Sequence, residues 1–175
     1  NTPLSINDGY IETVAAYLKT GYSGVSDDLC DAIENYAITW AVRGSKWSVP
    51  WSQHPEGYDG KFTDKITEEL KLLSQEKDHA ISPLLHLSAG LKSASNVRTM
   101  IHQLFDFMEE TKLHETLTSR IEGLTADGHL EEAQEMAQIY EILLSCLEQT
   151  VSVLGDVKIT SRELLKVLQL ALSQY

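Results

Sequence analysis

Apolar residues recur at steps of three and four along almost the whole chain, the spacing that gathers them on one face of an α-helix. Ile11, Val14, Ala15 and Leu18 predict a first helix, ended by Gly21 and Gly24. Ser26 predicts the N-cap of a second. Asp27 and Asp28 suit the positive end of its dipole, and Leu29, Ile33, Tyr36, Ala37 and Trp40 face inward. Thr63 predicts the cap of a helix carrying Ile66, Leu70 and Leu73. Ser82 with Pro83 predicts a fresh start, cap then first-turn proline, for Leu84, Leu87 and Leu91. Val97, Met100, Ile101, Leu104, Phe105 and Met108 follow the helical rule without a gap. A weaker helix carries Leu113, Leu117, Ile121 and Leu124 and ends near Gly128. The longest element runs through Leu130, Ala133, Ala137, Tyr140, Leu144, Leu147, Val151 and Leu154 to Gly155. Thr160 and Glu163 then make a capping box for a last helix with Leu164, Leu168 and Ala171 inward.

No segment alternates with period two, so the expected fold is all-α: a bundle of seven or eight helices in a single domain, 1–175. The stripe over 130–154 fits an intermolecular coiled coil or a helix within the bundle, and its small Ala133 and Ala137 suit the second. One long non-helical stretch interrupts the pattern, residues 42–62, with Gly44, Pro50, Pro55, Gly57 and Gly60. Loops of this length are functional or disordered. This one carries Trp47 and Trp51, and with Trp40 just before it all three tryptophans of the chain fall between residues 40 and 51. Such a concentration predicts an ordered loop that packs.

A chain of 175 residues, 42% of them hydrophobic, makes one domain the default and two small ones the limit. It buries roughly 70% of its unfolded surface and needs no disulfide or metal staple. Cys30 and Cys146 form no paired motif, which predicts free thiols in a reducing, cytoplasmic setting. No signal peptide or run of transmembrane length is present in the sequence. The chain opens at Asn1 without Met and stops at Tyr175 within a helical pattern, the expectation for a piece of a longer protein. Its net charge of −12 repels a polyanion at long range, so contact with nucleic acid would need a small local patch.

The sequence has no GxxxxGK[ST] phosphate loop, GxGxxG, HExxH or GxSxG motif, and no cysteine pair at metal-ligand spacing. No catalytic, cofactor-binding or metal residue is therefore assigned. His79 and His86 would share a face of a continuous helix, but Pro83 lies between them. His54, His102, His114 and His129 show no pattern. The carboxylate groups at Asp31 with Glu34, Glu68 with Glu69, Glu109 with Glu110, and Glu131, Glu132 and Glu135 read as solvated helix faces. Chemistry is plausible only after Trp40. There Arg43 and Lys46 supply positive charge, Trp47 and Trp51 supply flat surface, and Gly44 permits close approach. The competing reading has the two tryptophans pin the loop while Arg43 caps the preceding helix.

Residues 14–21 read VAAYLKTG, and residues 33–47 read IENYAITWAVRGSKW. This order resembles the AddB-type subunit of the bacterial AddAB helicase–nuclease, called RexB in some lineages. That family commonly shows YLKTG, then L-E-N-Y, then a G-I-R-G-x-x-W turn. Tyr17 to Gly21 match the first part, and Glu34, Asn35, Tyr36, Arg43, Gly44 and Trp47 match the rest. Ile33 stands for the usual Leu, and Ala41 and Val42 stand for Gly and Ile. Residues 153–172 are similar to the family's helical region, and 53–95 resemble nothing specific. The resemblance implies a helical insertion in a UvrD-like helicase domain of an enzyme that resects double-strand DNA breaks for recombinational repair. It implies ATP, Mg2+ and an iron–sulfur cluster bound outside this chain. The implied partners are the remaining domains of the subunit, the A subunit and DNA, with no membrane. The chain itself would be a non-catalytic body, with Lys19, Arg43, Lys46 and Trp47 the candidates for DNA or domain contact. The alternative is a stand-alone helical adaptor that binds a protein helix through the 130–154 stripe.

Overall fold

The helical periods become seven α-helices, and among the described residues there is no strand. The computed structural model describes residues 11–174, with side chains from Val14 onward. Ile11, expected on the inner face of the first helix, has its side chain outside that range. The chain divides into two compact units, Asn1–His86 and Leu87–Tyr175.

The first unit holds α1 (Ile11–Leu18), α2 (Asp27–Thr39), a short 3-10 helix (Gly44–Ser48) and most of α3 (Asp64–Ser93). Its core joins Val14 and Leu18 of α1, Ile33, Tyr36 and Ala37 of α2, Trp47 and Trp51 of the loop, and Leu70, Leu73, Ala80 and Ile81 of α3. Cys30 belongs to this core and is buried, a position the stripe drawn from sequence passes over. Burial raises the Cys30 thiol above its ordinary pKa, which keeps it protonated and unreactive. Ser26 takes the N-cap position of α2 in extended backbone, as expected, but its side chain makes no capping bond. Thr63 does cap α3, its hydroxyl accepting from Ile66 N–H at 3.3 Å.

The expected restart at Ser82–Pro83 does not occur. α3 runs unbroken through Pro83, which is buried. A proline inside a helix removes one backbone donor and crowds the carbonyl four residues back. Burying the ring removes apolar surface from water, which counts in favour of the continuous helix against that cost.

The second unit holds α4 (Val97–Glu110), α5 (Leu113–Ala126), α6 (Leu130–Leu154) and α7 (Ser161–Leu172). α6 is its central helix and packs against α4, α5 and α7. The 130–154 stripe therefore serves the unit's own core, with Leu147 buried among Val97, Met100, Ile101 and Leu164. Leu130, assigned to that stripe, is 62% exposed because it stands in the first turn, beyond the packed stretch. Two capping boxes fix the starts of helices. Thr160 with Glu163 opens α7 as expected. Asn96 with Thr99 opens α4, an N-x-x-T signal that the hydrophobic periodicity alone does not bring out. The remaining free amides of α4 are met by the α6–α7 connection, Val97 N–H donating to Val157 O and Arg98 N–H to Gly155 O.

Candidate nucleic-acid interface at the tryptophan loop

The loop begins with how α2 ends. Val42 N–H donates back to Ala37 O at 2.9 Å, and Ala41 N–H donates to Ile38 O at 3.2 Å. These two bonds form a Schellman motif, with Ala41 in the left-handed region at φ 45°. The backbone thus takes the last carbonyls of α2, and Arg43 does not cap them. Arg43 stands instead at the N-cap position of the 3-10 helix, which contains Lys46 and Trp47. The segment expected as plain loop therefore starts with one ordered turn.

The tryptophans anchor the rest of the loop. Trp47 is 1% exposed. Trp51 stacks on Tyr36 with ring centroids 4.1 Å apart and lies 5.8 Å from Trp47. Three further bonds tie the loop down. Trp51 N–H donates to Ser74 Oγ at 3.0 Å, Trp51 Nε1 to Lys46 O at 3.3 Å, and Gln53 N–H to the Tyr36 hydroxyl at 2.9 Å. Burial raises the Tyr36 phenol above its ordinary range, so it stays protonated.

Beneath this loop lies a fully buried lysine. Lys77 Nζ donates to Trp47 O at 2.9 Å and Val49 O at 3.0 Å, pairs with Asp78, and lies 5.4 Å from the Trp51 ring centroid. An ammonium has three donors, and here all three are used. Lys77 was missed from sequence because it reads as a surface cation. Its spacing was the available signal, since it falls four residues after Leu73 and three before Ala80, inside the apolar stripe of α3.

The outer part of the loop is built on His54. Its ring is buried, Nδ1 accepts from Glu56 N–H at 3.1 Å, and its carbonyl accepts from Trp40 Nε1 at 3.0 Å. Gly60 fits because it has no side chain: a Cβ there would lie 2.0 Å from His54 Nδ1. On this base two aromatic rings face water. Tyr58 is 88% exposed and packs edge-on to Trp40 at 4.5 Å. Phe62 is 56% exposed and packs edge-on to His54 at 5.1 Å.

Of the four residues named from sequence, Arg43 and Lys46 are exposed cations on the 3-10 turn. Lys19, on the turn after α1, donates to Glu34 at 2.5 Å and pairs with Asp31 at 3.2 Å, and these bonds raise its pKa. Its charge is thus answered within the protein. Trp47 is enclosed, so its ring faces are used for packing. Among the described residues no group of three or more His, Cys, Asp or Glu could hold a metal, although α3 is continuous between His79 and His86.

No family model matches the chain. Curated relatives do. A protein of Clostridium botulinum (strain Hall), named as the B subunit of an ATP-dependent helicase/deoxyribonuclease, is 30% identical over 167 residues, which covers 94% of this chain and 14% of that protein. Proteins of the same name from Clostridium kluyveri and Caldanaerobacter subterraneus are 31% and 28% identical over 94% of the chain. The chain spans about a seventh of the length of these relatives, 14% to 15%. The similarity extends through 53–95, where the sequence motifs are silent, and this chain matches a fragment of the AddB-type B subunit of an ATP-dependent helicase/deoxyribonuclease.

Proposed function

We propose that this chain is a non-catalytic helical part of the B subunit of an ATP-dependent helicase/exonuclease that processes DNA double-strand breaks for recombinational repair. The observation that carries this reading is the match over 94% of the chain to proteins named as that subunit, of which it forms only 14%. Its absent motifs fit the same reading, since the sequence offers no phosphate loop and no metal-ligand pattern. In this proposal ATP, Mg2+ and the iron–sulfur cluster bind elsewhere in the assembly. The chain's partners are the other domains of its subunit, the A subunit and DNA. Its role is mechanical: a bundle with packed cores holds the tryptophan loop in one shape and presents it to a neighbouring domain or strand. The test is to assay the isolated chain beside the whole enzyme. ATP hydrolysis and Mg2+-dependent DNA cleavage are expected from the enzyme and from none of the chain preparations. Turnover by the isolated chain that persists through purification and vanishes on a point substitution within it would refute the proposal.

A further inference from the structure

Sequence pointed to Trp47 and Trp51 as flat surface for bases, but both are in the core. The rings that the same loop turns toward water are Tyr58 and Phe62, 88% and 56% exposed. The charges next to them in the chain are mainly negative: Glu56, Asp59 and Asp64 are exposed, against Lys61. We propose that Tyr58 and Phe62 are a docking surface for a Lys- or Arg-bearing segment of the B subunit that lies outside this chain. This rests on the proposed reading, in which the chain is one part of that subunit, and names the surface by which it meets another part.

The rings are held from below. Tyr58 packs on Trp40, whose Nε1 is fixed on His54 O, and Phe62 packs on the buried His54 ring. Two successive turns fix the backbone beneath them, Gly57 N–H donating to His54 O at 3.0 Å and Gly60 N–H to Gly57 O at 3.4 Å. Rings ordered in advance lose little freedom on contact, and exposed aromatics of this kind are enriched in protein interfaces. The charge decides the chemistry of the occupant. Carboxylates beside the rings repel phosphates and attract Lys and Arg, and a guanidinium or ammonium also gains by lying over an aromatic face. The length of the relatives decides its source. The chain forms 14% of a B subunit, so most of that polypeptide lies elsewhere and is tethered to this surface. A tethered segment meets the surface at a high effective concentration, so a modest mixed patch of rings and charges is enough to hold it.

The experiment uses the full-length B subunit in the assembled enzyme, with the photo-crosslinking residue p-benzoylphenylalanine in place of Tyr58. Because Tyr58 stands in solvent, this change leaves the core intact. Irradiation and mass spectrometry are expected to find a crosslink to a segment of the same polypeptide outside residues 1–175, with Lys or Arg next to the linked residue. Adding Glu56→Lys and Asp59→Lys should cut the yield of that crosslink several-fold. Adding Glu56→Asp and Asp59→Glu, which keep the charge, should leave it unchanged. No protein crosslink, or one within this chain, on the A subunit or on added DNA, overturns the proposal. So does a linked segment without Lys or Arg, or a yield that charge reversal does not lower. The crosslink decides this inference whether or not the enzyme cuts DNA. The helicase–nuclease reading is decided separately, by ATP hydrolysis and DNA cleavage in the unaltered enzyme.

Discussion

Two residues of the loop show how much a single position carries. Ala41 occupies the left-handed conformation that closes the Schellman motif, at φ 45°. An L-residue with a Cβ is strained there by about 1 kcal/mol, and Gly is not. The related turn commonly has Gly at this place. Ala41 is exposed, so its methyl contributes little packing. Ala41→Gly should therefore raise stability by about 1 kcal/mol, read as a higher urea midpoint, and a lower midpoint would show that the turn is unstrained. Trp47 carries the opposite sign. At 1% exposure in the core, Trp47→Ala should cost about 3–5 kcal/mol. Its Nε1 has no hydrogen-bond partner, so Trp47→Phe loses volume without breaking a bond and should cost much less. Equal losses for the two substitutions would mean that the indole nitrogen is engaged.

Caps and breakers decide the elements, and they mark where sequence is legible. The capping box at Thr160 and Glu163 was readable because both side chains serve the same few amides whatever the fold around them. Its chemistry predicts a pH effect. The Glu163 carboxylate accepts from Thr160 N–H at 2.7 Å and from the Thr160 hydroxyl at 2.9 Å, which lowers its pKa below the ordinary 4.5. A depressed carboxylate contributes its stability above the unfolded pKa and loses it as pH falls through the folded value. Glu163→Gln should thus be less stable than the natural chain at neutral pH and match it once the carboxylate is protonated in acid. Parallel urea curves at neutral and acid pH check this, and a gap that persists in acid would assign the loss to something other than charge. Pro83 was illegible for the converse reason. Whether a proline starts a helix or is buried inside one depends on the core it meets, and only packing tells. Lys77 is the same case, a surface cation by type and a core residue by partners. The candidate site was half legible: sequence located the loop and Arg43 and Lys46, but which aromatic rings face water depends on the packing on His54 and Tyr36.

At the scale of the whole molecule the controlling quantity is charge. Twenty-six acidic side chains face fourteen basic ones, a net −12, and most of these carboxylates stand on exposed helix faces. Like charges repel over a distance set by the salt: about 30 Å at 0.01 M and about 8 Å at 0.15 M. At low salt every carboxylate feels the others across the fold, and the folded state, being more compact than the unfolded chain, bears more of that repulsion. Salt also weakens the exposed ion pairs, among them Lys65 with Glu69 and Arg98 with Asp156, at 3.5 Å each. Such pairs contribute at most about 1 kcal/mol and often nothing measurable. Repulsion should win, and the melting temperature should rise by about 2–4 °C between about 0.01 M and 0.15 M NaCl, the shift that about 1 kcal/mol produces in a chain of this size. Thermal melts followed by circular dichroism at the two salt concentrations measure it. A melting temperature that falls instead would mean that the specific ion pairs, Lys19 with Asp31 and Glu34 foremost, outweigh the diffuse field.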